Sequence, residues 1–144
     1  MMTPAEIRAA IQAAPALLAM APDTQAIAAA LSAGRTKLST VSRAWLSTWA
    51  AGTGMRAVMQ DVSTTPGHPL RSIALATLDV LAGAADGIDF SVPENVASVQ
   101  AWVTAGAMPQ AQADALFALG TVPDPVDEMD VRRAVYHDDG SLAV

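Results

Sequence analysis

TPAEIRAAIQAA, residues 3–14, carries the signals that decide the fold class. Thr3 can cap a helix, Pro4 suits the first helical position, and Glu6 completes a Thr-x-x-Glu capping box. Ile7 and Ile11 are four apart, so they share one helical face. Five of the twelve residues are Ala, the best helix former.

The rest of the chain extends this bias. Ala occupies 32 of 144 positions, and it is depleted in strands. No run of alternating β-branched residues occurs. Asp86-Gly87 and Asp139-Gly140 are hairpin-type turns, yet neither has a strand-like segment on both sides. The expectation is an all-α fold, a compact bundle of five to seven short helices with at most a short terminal strand.

Breaks divide the helical stripe. Pro15 interrupts the first helix after Ala13, and Pro22 opens a helix through Ala33 with Gly34 as its stop. A third helical region spans residues 39–62, broken at Gly52 to Gly54. Thr64-Thr65-Pro66-Gly67 is a turn. Residues 68–83 carry Leu70, Ile73, Ala74, Thr77, Val80 and Leu81 inward, which marks the most buried helix. Ser91-Val92-Pro93-Glu94 reads as a second capping box. It opens an αα-hairpin over 91–120, stopped at Gly106 and Gly120. TVPDPV (121–126) is extended because each Pro restricts the residue before it. Asp127 caps a last helix carrying Val131, Ala134 and Val135.

The domain reading is therefore a helical domain over 1–120, with residues 1–21 as an N-terminal arm. Residues 121–144 form an extended linker, a short helix and an acidic tail. Ile73, Leu81, Val96, Val99, Val103 and Phe117 are the expected core. Trp45 and Trp49 are candidate interaction residues as well as core candidates, since Trp is enriched at binding hot spots. Leu142 and Val144 join them, because an apolar end beyond the Asp138-Asp139 turn needs something to cover it.

Composition excludes several function classes. The net charge is -6, with eight basic residues, so a broad phosphate-binding surface is not expected. The second helix of the 91–120 hairpin offers Gln110, Gln112 and Asp114 and no cation, unlike a DNA-reading helix. Without Cys there is no disulfide or thiol chemistry. Two distant His residues, His68 and His137, do not make a zinc site. Asp127, Glu128, Asp130, Asp138 and Asp139 lack the ligand alternation of a calcium loop, so they read as caps and solvated charge. No Gly-x-Ser-x-Gly elbow occurs, and Gly52-Thr53-Gly54 lacks the rest of a phosphate loop. The Arg35, Lys37 and Arg43 cluster reads as a solvated helix entry. No stretch approaches the roughly 18 continuous apolar residues of a membrane span. The apolar run Ala9 to Ala21 lacks the positive flank of a signal peptide, because Glu6 offsets Arg8. The expectations are no catalytic residue, no cofactor, no metal, no nucleic acid, no membrane and no small-molecule substrate.

Three stretches together resemble a family: TPAEIRAAIQAAPALLAMAPDTQAIAAALSAGRTKL (3–38), AWVTAGAMPQAQADALFALG (101–120) leading into VPDPV, and DEMDVRRAVYHDDGSLAV (127–144). The combination resembles small, Ala-rich proteins encoded in the structural gene modules of tailed bacteriophages. Residues 39–90 do not align with that group. The resemblance implies a non-enzymatic virion component, tail-associated, made in the host cytoplasm and contacting other phage structural proteins. It also implies a homo-oligomer or multi-copy assembly. It carries no functional residue. Three other roles remain open at this point: a capsid decoration or head-tail connector protein, a hydrolase whose site carries no recognised motif, and a small acidic inhibitor of a host nucleic-acid enzyme, its clustered carboxylates mimicking phosphates.

Overall fold

The computed structural model describes all residues, Met1–Val144. In chain order the elements are α1 (Pro4–Ala13), α2 (Pro15–Met20), α3 (Thr24–Ser32), β1 (Thr36–Leu38), β2 (Thr40–Ser42), α4 (Arg43–Thr53), α5 (Met55–Ser63), α6 (Arg71–Ala82), β3 (Gly87–Asp89), α7 (Pro93–Thr104), α8 (Gln110–Leu119), β4 (Thr121–Pro123) and α9 (Glu128–Val135). The protein is mostly helical, but nine helices replace the expected five to seven. It is not purely α, because β1 pairs with β4 and β2 pairs with β3. Each strand is three residues long, too short to leave an alternating pattern.

The chain forms two compact units, Met1–Thr36 with Pro123–Val144, and Lys37–Val122. This is not the expected division at residue 120. The N-terminal segment and the C-terminal helix belong to the same unit.

In the first unit, α1 forms as its capping box dictates: the Thr3 amide donates to Glu6 Oε2 at 2.7 Å, and Thr3 Oγ1 accepts from the Glu6 amide at 3.3 Å. α1 and α3 both pack on α9. Ile7, Ile11, Ile27, Val131, Ala134 and Val135 are fully buried there. Polar contacts across 126 and 104 residues of chain close the unit. Arg8 Nε donates to the Ala134 carbonyl at 2.9 Å, and Thr24 Oγ1 donates to Glu128 Oε1 at 3.0 Å. Arg35 Nη2 meets the buried Asp124 carboxylate at 2.6 Å. A carboxylate withdrawn from water needs such a charged partner. Asp127 caps α9 through the Met129 amide at 2.7 Å, as its sequence position suggests.

The apolar C-terminus is not a projecting tail. The Ala143 amide donates to the Val135 carbonyl at 2.6 Å, Leu142 bridges Tyr136, and Val144 packs on the α1/α9 core. The Asp139-Gly140 turn does reverse the chain, with Asp139 Oδ1 holding the Ser141 amide and hydroxyl.

In the second unit, Gly54 takes φ 75° and separates α4 from α5, where the sequence predicts a break. α5 packs along α6, and α4 packs on α8. The Asp86-Gly87 turn leads into a strand after all. Thr40, Val41 and Ser42 pair antiparallel with Asp89, Ile88 and Gly87. Any Cβ at position 87 would overlap the Val41 carbonyl, so the ladder requires Gly.

The expected second capping box does not form. Ser91 gives its amide and hydroxyl to Asp89 Oδ1, at 2.9 and 2.7 Å, and Val92 becomes the N-cap. The Asp89 carboxylate, two residues earlier, holds both Ser91 donors, and no helix amide donates to the Ser91 hydroxyl.

The core expectation also needs correction. Of the six expected residues only Val99 is buried, while Ile73, Leu81, Val96, Val103 and Phe117 are half-buried and pack on the core margin. α7 turns Val99 and Trp102 inward, which rotates Val96 and Val103 to its flanks. α6 is not the most buried helix. Only Ala74 on it is buried, because much of its apolar face fronts a cavity.

Candidate functional site

Two features of the second unit stand out from ordinary packing. The first is a cavity of about 300 Å³ lined by α4, α5, α6, β3, α7, α8 and the segment before α8. Trp49, Phe90 and Trp102 are its aromatic lining, with Met59 and Met108 beside them. All five are buried residues of the core cluster, so the cavity wall is the core itself. Apart from the indole N–H groups of Trp49 and Trp102, its polar lining is confined to Ser72 and Thr77 on α6 and Asn95 and Ser98 on α7. These are exposed or half-buried and form the rim. The lining contains no charged residue.

The local causes are visible in the chain. α7 presents Asn95, Ser98, Val99 and Trp102, spaced three and four apart, on one face. α6 presents Ile73, Ala76, Thr77 and Val80 in the same way. Ala76 and Ser98 are too small to fill the space between the helices. The Phe90 ring meets Phe117 edge-on, with centroids 5.3 Å apart at 89°, which fixes one wall.

The second feature is Trp45, which is 58% exposed on α4. The sequence pairs it with Trp49 by spacing, but the structure separates their roles. Trp49 is buried and donates its indole N–H to the Gln112 carbonyl at 3.0 Å. The boundary of the core runs between the two side chains. In the first unit, Leu142 is 52% exposed and Val144 is half-buried. Leu18 and Met20 on α2 are also exposed, at 42% and 38%.

The titratable groups that depart from their usual behaviour are structural. Hydrogen bonds from Thr3 hold the Glu6 carboxyl below its ordinary range. Hydrogen bonds from Ser91 do the same for Asp89, and those from Ser141 for Asp139. Each is an exposed cap or turn, and the main cause in each is a local hydrogen bond. Glu128 pairs with Arg132 at 3.2 Å and Asp130 with Arg133 at 3.1 Å, so much of the C-terminal acidic cluster is matched within α9. No three His, Asp or Glu side chains converge as metal ligands, and no helix is long and apolar enough to cross a membrane.

Sequence reasoning missed the cavity. Trp102 lies three residues after Val99 and so shares its face, which was the available signal. That the opposing α6 face would stay unfilled is a tertiary property. Compared with protein-family models, curated proteins and solved structures, the chain matches none.

Proposed function

We propose that this chain is a non-enzymatic structural component of a tailed-phage virion, tail-associated, and that it works through protein contacts in a multi-copy assembly. The observation that carries the proposal is where the resembling stretches lie. Residues 3–38 and 127–144, which resemble phage structural-module proteins, contribute α1, α3 and α9 to one core. The third resembling stretch, 101–120, falls in the other unit together with residues 39–90. Two of the three resembling stretches, far apart in sequence, thus share one core.

Exposed apolar side chains occur on both units, Leu18, Met20 and Leu142 on the first and Trp45 on the second. Trp45, Leu142, Leu18 and Met20 place large apolar side chains in solvent, and such groups gain most when a neighbour covers them. The inhibitor reading has less support, because Glu128 and Asp130 are matched to Arg132 and Arg133 rather than displayed as a phosphate mimic.

Deleting the gene from its phage tests the proposal. Lysates should then hold incomplete particles, heads and tails separable by electron microscopy, with infectivity restored by the gene supplied in trans. Normal, infectious particles in the deletion lysate would overturn it.

A further inference from the structure

We propose that the cavity between α6 and α7 is a binding site for an uncharged, largely apolar small molecule of bicyclic size that carries one O–H or N–H donor. This goes beyond the virion role and departs from the expectation that no small molecule is involved. The ligand is bound, not transformed.

Size comes first. A cavity of roughly 150 Å³ lined by aliphatic and aromatic groups stays dry and admits benzene. This one is about 300 Å³, twice that, and lies at the lower end of small-ligand pockets. Two fused rings are of a size for such a space.

Charge comes next. None of the sixteen lining residues is ionisable as Asp, Glu, Lys, Arg or His. A carboxylate, phosphate or ammonium group would lose its hydration with no counter-charge in return. The occupant is therefore neutral.

The hydrogen-bond inventory of the rim then selects between donor and acceptor. Thr77 Oγ1 already donates to the Ile73 carbonyl at 2.9 Å, and Ser98 Oγ donates to the Glu94 carbonyl at 2.9 Å. Asn95 Nδ2 donates to the Asp89 carbonyl at 2.7 Å, which also fixes the amide orientation. Thr77 and Ser98 have committed their single hydroxyl proton and keep accepting capacity, whereas Asn95 keeps a second amide proton beside its accepting oxygen. Only Ser72, exposed at the rim, retains an uncommitted hydroxyl proton. All four side-chain oxygens can accept while Ser72 and Asn95 alone can also donate, so a ligand hydroxyl suits the rim better than a group that only accepts.

Equilibrium dialysis of the full chain against three probes of one size tests this: 2-naphthol, 2-methoxynaphthalene and 2-naphthoate. The expected result is saturable binding of one 2-naphthol per chain. 2-Methoxynaphthalene, which can only accept, should bind about two- to tenfold more weakly. 2-Naphthoate should not saturate. Ala76→Phe adds bulk at an exposed rim position, so it should keep native helicity and abolish 2-naphthol binding. Thr77→Val keeps the volume and should shrink the naphthol preference. No saturable 2-naphthol binding would overturn the proposal, as would equal binding of 2-naphthoate or an Ala76→Phe variant that binds normally. Equal binding of the methoxy probe would overturn the donor assignment.

Discussion

Replacing Ala134 with Leu puts the helical packing of the chain ends to a quantitative test. Ala134 is fully buried on α9, between Val131 and Val135 and against α1, and its carbonyl accepts from Arg8 Nε at 2.9 Å. Leu and Ala have similar helix propensities, so the change acts through volume. Three added carbon atoms in a filled contact should cost about 1–3 kcal/mol through off-rotamer side chains and separation of α1 from α9. A loss of 2 kcal/mol would lower Tm by roughly 4–8 °C in a chain of this length. Ala9→Leu is the matched control. Ala9 sits on α1 but is exposed, so that change should stay within about 0.5 kcal/mol. Urea denaturation followed by circular dichroism at the helical band measures both. If Ala134→Leu is neutral, or the two variants behave alike, the α1/α9 contact is not the close one described.

Three further outcomes follow from particular residues. Trp49→Ala should destabilise by about 3–5 kcal/mol, while Trp45→Ala should change stability by no more than about 0.5 kcal/mol, both read by denaturant titration. Glu6→Gln should lose its stabilising charge only where that charge exists. Because the folded Glu6 carboxyl lies below its usual value of 4.5, its contribution is present above that pH and disappears as pH falls through the lowered folded value. The gap between wild type and Glu6→Gln, measured by thermal melts across pH, should therefore close in acid. Deleting Ser141 to Val144 removes the Val144 packing and the Ala143 hydrogen bond, and should cost about 1–2 kcal/mol by the same melts.

Helix positions were legible where local chemistry decides them. The Thr3/Glu6 capping box, the Pro15 break, the Gly54 break and the Asp127 cap each act within a few residues, and each is where its sequence signal lies. The errors are of one physical kind. Ser91 carries a valid cap signal, but Asp89 two residues earlier captures it. Gly87 looks like a turn residue, yet its role depends on Val41, 46 positions away. Ala content predicts helix but cannot say which Ala faces a neighbour: Ala74, Ala113 and Ala134 are fully buried, and Ala9 is exposed. Trp45 and Trp49 share a spacing and part in burial for the same reason. The joining of the two chain ends into one unit, and the cavity between α6 and α7, are long-range outcomes with no local signature.

Quantitative mass spectrometry of purified phage particles, calibrated with isotope-labelled peptides of this chain, tests the virion assignment most directly. The account predicts a fixed copy number per particle, greater than one and constant across preparations and salt washes. Absence of the chain from intact particles, or a trace amount that washing removes, would contradict it.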